Sequence, residues 1–189
     1  MYELPLEIDI QGQSFAIRNR GDFRMVLDCF SILNDVELTK KEKVLACLII
    51  FYNLDDFDDL EKLPDLQEAT DKMYDFFNCG QKEQPKNKHR LIDWDKDSMI
   101  ICSAVNNVAG KEVRGESYLH WWTFMGYYMA IGDCALSTIV NIRYKIANNQ
   151  KLEKHERKFR TENPQYFNMD YRSMEEIEED NYIRDLWNS

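Results

Sequence analysis

Apolar and polar residues alternate from Leu4 to Ile10, and beyond Gln11-Gly12 the alternation resumes through Phe15 and Ile17. A period of two marks a half-buried strand, so this segment predicts a β-hairpin turning near Gly12. A lone hairpin is marginal in water and must pack against another element. After Gly21 the period changes: Phe23, Val26, Leu27, Phe30 and Leu33 recur at helical spacing. Thr39-Lys40-Lys41-Glu42 has the form of a capping box, opening a helix with Val44, Leu45, Leu48, Ile49 and Tyr52 on its buried side. An acid-rich linker (55–64) leads to a third helix that starts near Asp65. It aligns Leu66, Ala69, Met73, Phe76 and Phe77 and stops at Cys79-Gly80, where glycine suits a C-cap.

Residues 81–90 are polar, contain Pro85 and lack periodicity, as an exposed loop does. Asp93-Trp94-Asp95 is expected to open a helix through Met99, Cys102 and Val105 to Gly110. Tyr118 to Ile131 is apolar or aromatic nearly all round a helical wheel, and a further helix is expected over Ala135–Ala147, with Asp133 as its cap. Its inward positions are Leu136, Ile139, Val140 and Ile146. A charged helix, Lys151 to Asn163, is closed by Pro164. The expected architecture is mainly α, a single domain of six or seven helices with an N-terminal β-hairpin. It spans residues 1–172 and is followed by an acidic C-terminal tail over 173–189.

Composition narrows the class. Apolar residues make up 44% of the 189 and aromatics 13%, enough to fill a core, which rules out disorder along the whole chain. The longest apolar run, Val44 to Tyr52, is about half of the roughly 20 residues that span a bilayer, so no membrane role is expected. The N-terminus lacks the basic-then-apolar order of a signal peptide, and the chain is expected to stay where it is made. Five widely spaced cysteines without a C-x-x-C pair fit a reducing cytoplasm better than a disulfide framework. A formal net charge of −10 repels phosphates and argues against nucleic acid as a partner.

Catalytic chemistry finds little support. His89, His120 and His155 are far apart and none has a second metal ligand at helical spacing, although His120, Asp133 and Cys134 would suit a metal if the fold joined them. There is no G-x-S-x-G, no cysteine-nucleophile signature and no glycine-rich phosphate loop. The expectation is therefore a binding protein without enzymatic activity, cofactor or metal.

Two features suit binding. The Tyr118–Ile131 stretch is either a central core helix or one with an aromatic face left for a partner, since Trp and Tyr dominate interface hot spots. Arg143, Lys145, Lys151, Lys154, Arg157, Lys158 and Arg160 form a basic stretch relieved by Glu153 and Glu156. It reads as a solvated helix surface, or as a surface that the acidic tail covers until a partner displaces it. Candidate partner-binding residues are Trp121, Trp122, Tyr127, Tyr128, Arg143 and Arg157. Whether the chain forms a homo-oligomer is left open.

Five segments carry a family resemblance: Leu91-Ile92-Asp93-Trp94-Asp95-Lys96-Asp97, Leu119-His120-Trp121-Trp122-Thr123-Phe124, Ala130-Ile131-Gly132-Asp133-Cys134, Ile139-Val140-Asn141-Ile142-Arg143 and Lys151-Leu152-Glu153-Lys154-His155-Glu156-Arg157. Together with the N-terminal hairpin, over about residues 1 to 172, the chain resembles the "gene product fifteen" family of long-tailed bacteriophages. The resemblance implies a place in the tail module ahead of the tape-measure protein, and with it a tail-assembly chaperone or accessory role. The implied partners are phage tail proteins, above all the tape measure, and the implied location is the host-cell cytoplasm. Two other roles are a structural component of the finished tail and an acidic inhibitor of a host nucleic-acid enzyme. The resemblance carries no catalytic residues.

Overall fold

A computed structural model describes residues 3–81, 89–169 and 171; the expected tail and most of the polar loop lie outside the described residues. In chain order the elements are strands β1 (Glu7–Ile10) and β2 (Gln13–Ala16) and helices α1 (Phe23–Asn34), α2 (Lys40–Phe51), α3 (Leu66–Phe77), α4 (Ser98–Ala109), α5 (Trp121–Met129), α6 (Ala135–Ala147) and α7 (Lys154–Glu162). Short 3-10 turns intervene, among them Asp58–Lys62. The protein is mainly α with an N-terminal two-stranded antiparallel hairpin, as the periodicity predicts. Its contacts form two compact units: 1–84 with 105–130, and 85–104 with 131–189.

In the first unit, Gln11 and Gly12 both take positive φ, at 51° and 82°, as a two-residue hairpin turn requires. The Asp9 carboxylate supports the turn by accepting from the Gly12 N–H at 3.2 Å. The strands pair Ile10 with Gln13 and Glu7 with Ala16, and Ile10 is completely buried. The capping box is present: Thr39 Oγ1 accepts from the Glu42 N–H and Glu42 Oε2 accepts from the Thr39 N–H at 2.9 Å. Asp65 caps α3 through the N–H groups of Gln67 and Glu68. At the other end Cys79 and Gly80 turn left-handed, and the Gly80 N–H donates to Asp75 O at 2.8 Å.

Aromatic rings fill this unit. Phe23 stacks on Phe124 with centroids 4.6 Å apart, and Phe51 meets Phe76 and Phe77 edge-on at 5.2 and 5.7 Å. The Tyr52 hydroxyl donates to Ala69 O at 2.8 Å, tying α2 to α3.

The second unit centres on Ile139, Ile142 and Phe167, with Ile100, Ile146, Leu152, Phe159 and Tyr166 packed around them. Four boundaries differ from the sequence-based expectation, among them the start of α7, which is Lys154 and not Lys151 because Glu153 takes the extended backbone of its N-cap. Helix α4 begins at Ser98, not at Asp93, because residues 93–97 form a separate turn. There Asp93 Oδ1 accepts from the N–H groups of Asp95 and Lys96. Asp133 does not cap α6; the cap position is Cys134, whose N–H donates to Ser137 Oγ at 2.9 Å. The aromatic stretch is helical only over Trp121–Met129, because His120 takes the extended backbone of an N-cap. Pro164 closes α7 and starts a 3-10 turn.

Candidate partner-binding surface

The His-Trp-Trp element is built into the first unit from its backbone outward. His120 Nδ1 accepts from the Trp122 N–H at 3.0 Å, satisfying one of the orphan donors at the start of α5. That bond leaves Nε2 carrying the proton, and Nε2 lies 3.1 Å from Pro5 O, which accepts it. Burial pushes the His120 imidazole below its ordinary pKa, so the ring is neutral at pH 7. The two indoles do related work at the far end of α3. Trp121 Nε1 donates to Phe77 O and Trp122 Nε1 to Phe76 O, each at 2.9 Å, so both indoles anchor on carbonyls of the last helical turn, and Phe76 O also accepts from the Cys79 N–H at 3.0 Å.

Asp22 and Gly21 complete this knot. Asp22 accepts from the Leu119 N–H at 2.9 Å and the Arg24 N–H at 3.0 Å, and pairs with the Arg24 guanidinium. Gly21 sits at φ +75°, and a Cβ there would lie 2.7 Å from Phe76 Cζ and 3.0 Å from His120 Nε2.

Of the six candidate contact residues, two are interior. Trp121 is 1% exposed, its ring edge-on to Phe30 and stacked on Phe124, and the expectation of a surface role is corrected to core. Arg143, also 1% exposed, is the second correction. Its guanidinium pairs with Asp97 at 2.5 and 2.8 Å, donates to Leu91 O at 3.0 Å, and reaches Tyr166 O through Nε and Nη2. Trp122, Tyr127 and Tyr128 are half-buried, and Arg157 is exposed.

What α5 presents outward is an apolar stripe. Trp121 and Phe124 face the interior, while Trp122, Met125 and Met129 recur at i, i+3 and i+7 along the flank of that face. Trp122 and Met125 are half-buried and Met129 is 60% exposed. Gly126 is exposed beside them, and a Cβ built on it would meet nothing within 4 Å. The stripe pairs polarizable thioethers and an indole with bare backbone, a combination that adapts to varied apolar segments. Sequence reasoning named Trp122 but missed Met125 and Met129, although their spacing carried the signal once the inward face was known.

Cys29 and Cys47 are fully buried; Cys47 Sγ donates to Cys29 O at 3.5 Å, and the hydrogen bond to Cys47, with burial, pushes the Cys29 thiol well up. Cys79 is pushed up to about 11 by burial. Among the described residues no group of three or more His, Cys, Asp or Glu is placed to hold a metal ion, and no helix is long and apolar enough to cross a membrane.

Comparison with curated proteins returns no match, and neither does comparison with solved structures. Several residues that carry the family resemblance also hold the fold together: His120, Trp121 and Trp122 in one unit, Asp93, Asp97 and Arg143 in the other. The family model described as bacteriophage Gp15 protein matches residues 1–168, and the chain belongs to that family.

Proposed function

We propose that this phage protein is a tail-assembly chaperone, which binds the tape-measure protein in the host cytoplasm until tail-tube subunits polymerise around it. The role needs affinity for apolar helical segments and no chemistry. The observation that carries the reading is the partly exposed Trp122–Met125–Met129 stripe, held beside the face that α5 locks into an aromatic core. A rigid base under flexible thioethers favours broad, modest binding that a competitor can displace. The net charge of −10 keeps a chain with an exposed apolar stripe in solution.

Co-expression with the tape-measure protein of the same phage tests the reading. The tape measure should become soluble and co-purify, and Met125→Ser with Met129→Ser should reduce the co-purified fraction while the far-UV spectrum stays unchanged. A tape measure that aggregates equally with and without this protein would sink the proposal. Stoichiometric retention in purified virions would assign the protein to the finished tail instead.

A further inference from the structure

The outward side of α7 is basic. Lys154, Arg157 and Lys158 stand at i, i+3 and i+4 and are all exposed, whereas Glu156 is 3% exposed and Phe159 packs into the second unit's core. Like charges at this spacing repel and weaken an isolated helix. Nearby carboxylates relieve them little. Glu156 is committed to Lys145 at 2.6 Å and to the Glu153 N–H at 2.8 Å. Lys158 has Glu162 at 3.7 Å, with both side chains largely in solvent, a pair that water and salt screen. Lys154 and Arg157 make no ion pair with any of the described residues.

A complementary surface exists in the same sequence. Asp55, Asp56, Asp58, Asp59 and Glu61 crowd one turn, against Lys62 alone. Hydrogen bonds lock that turn from within. Asp56 Oδ1 accepts from the N–H groups of Asp58 and Asp59 at 3.0 and 3.1 Å, and Asp59 Oδ2 accepts from the Asp55 N–H at 3.1 Å. Phe57 projects from it, 56% exposed. An exposed aromatic ring in a turn rich in carboxylates matches a stripe of guanidinium and ammonium groups on aliphatic stems. The ring takes the stem or the cation face, the carboxylates take the charges, and little order remains to be imposed on binding.

We propose that the basic face of α7 docks the acidic turn 55–61 of a second copy of this chain. The contact does not rest on the chaperone role and uses none of the α5 stripe residues. Each copy carries a net charge of −10, so copies repel at long range while these two patches attract at contact. At about 0.1 M salt, where the Debye length is about 10 Å, the long-range repulsion is screened and the contact survives.

Light scattering on the full chain at high micromolar concentration tests this with two charge-reversed variants. One is Lys154→Glu with Arg157→Glu and Lys158→Glu. The other is Asp55→Lys with Asp58→Lys and Glu61→Lys, which spares the carboxylates that hold the turn. The natural chain should show a mass above one chain at about 0.1 M salt, falling to one chain near 1 M, where the Debye length is about 3 Å. Each variant alone should stay at one chain, and mixing the two should restore association, because every swapped patch regains an opposite. Circular dichroism establishes that both variants fold. A single-chain mass for the natural protein at about 0.1 M salt overturns the proposal and leaves the acidic stretch from Glu175 to Asp180 of the same chain as the competing anion. Association that ignores salt, or mixed variants that stay apart, overturns it equally.

Discussion

Replacing Asp97 with Ala leaves the Arg143 guanidinium with Leu91 O and Tyr166 O as its acceptors, but with no counter-charge at a site where both side chains are only 2% exposed. Stranding one partner of a buried ion pair costs about 3–5 kcal/mol. The Asp93 N–H also loses its 3.0 Å acceptor, so the turn ahead of α4 loosens and the cost belongs toward the upper end of that range. Against a total stability of about 5–15 kcal/mol, such a loss would leave the second unit near its unfolding threshold. Urea denaturation followed at 222 nm should show the midpoint falling steeply. The double variant Asp97→Leu with Arg143→Met removes both charges and should be more stable than Asp97→Ala. It should not regain natural stability, because Leu91 O and Tyr166 O lose their donors, at about 1–3 kcal/mol for each buried group left unsatisfied. An Asp97→Ala variant within about 1 kcal/mol of the natural chain would refute the stranded-charge account. So would a double variant less stable than Asp97→Ala, since the uncompensated charge would then not be what destabilises that variant.

Gly21→Ala places a methyl 2.7 Å from Phe76 Cζ at a backbone φ of +75°, so strain and overpacking should together cost about 2–4 kcal/mol; an unchanged melting temperature would contradict this. His120 has a folded pKa held below its unfolded value by burial, so the unfolded chain binds the proton first as pH falls. Stability should therefore drop as pH is lowered through about 6.5, the unfolded histidine value, toward the depressed folded one. The variant His120→Asn, whose side-chain oxygen can still accept from the Trp122 N–H, should have a flatter denaturation midpoint between pH 7 and the onset of carboxylate titration. Equal slopes in the two proteins would exclude His120 as the titrating group.

Local chemistry was legible in the chain wherever one short segment decided the outcome. The hairpin followed from alternation and from Gln11-Gly12, a pair able to take positive φ. The start of α2 followed from Thr39 and Glu42, and the end of α3 from Gly80. Each depends on residues within a few positions, whose propensities act before any distant contact forms. Asp133 and Asp93 show the limit of that reasoning. Both are good capping residues, yet Ser137 supplies the bond at the start of α6, and Asp93 folds a turn of its own whose end, Asp97, is held by Arg143.

Site prediction fared less evenly, because a side chain's chemistry does not say which way it faces. An all-round apolar stretch such as Tyr118–Ile131 contains no inward direction of its own. The direction came from Trp121 reaching Phe77 O, 44 residues earlier, and from Phe124 stacking on Phe23. That choice buried Trp121, left Trp122 and Met125 half-buried beside it, and turned Met129 outward. Arg143 read as one more cation in a basic run, since nothing near it in sequence marked Asp97 as its partner. The sequence by itself determined the helical class, the hairpin, the caps of α2 and α3 and the charge balance, all of which depend on neighbours along the chain. Only the tertiary structure decided which aromatics and cations reach solvent, because exposure is settled by contacts between segments far apart in sequence.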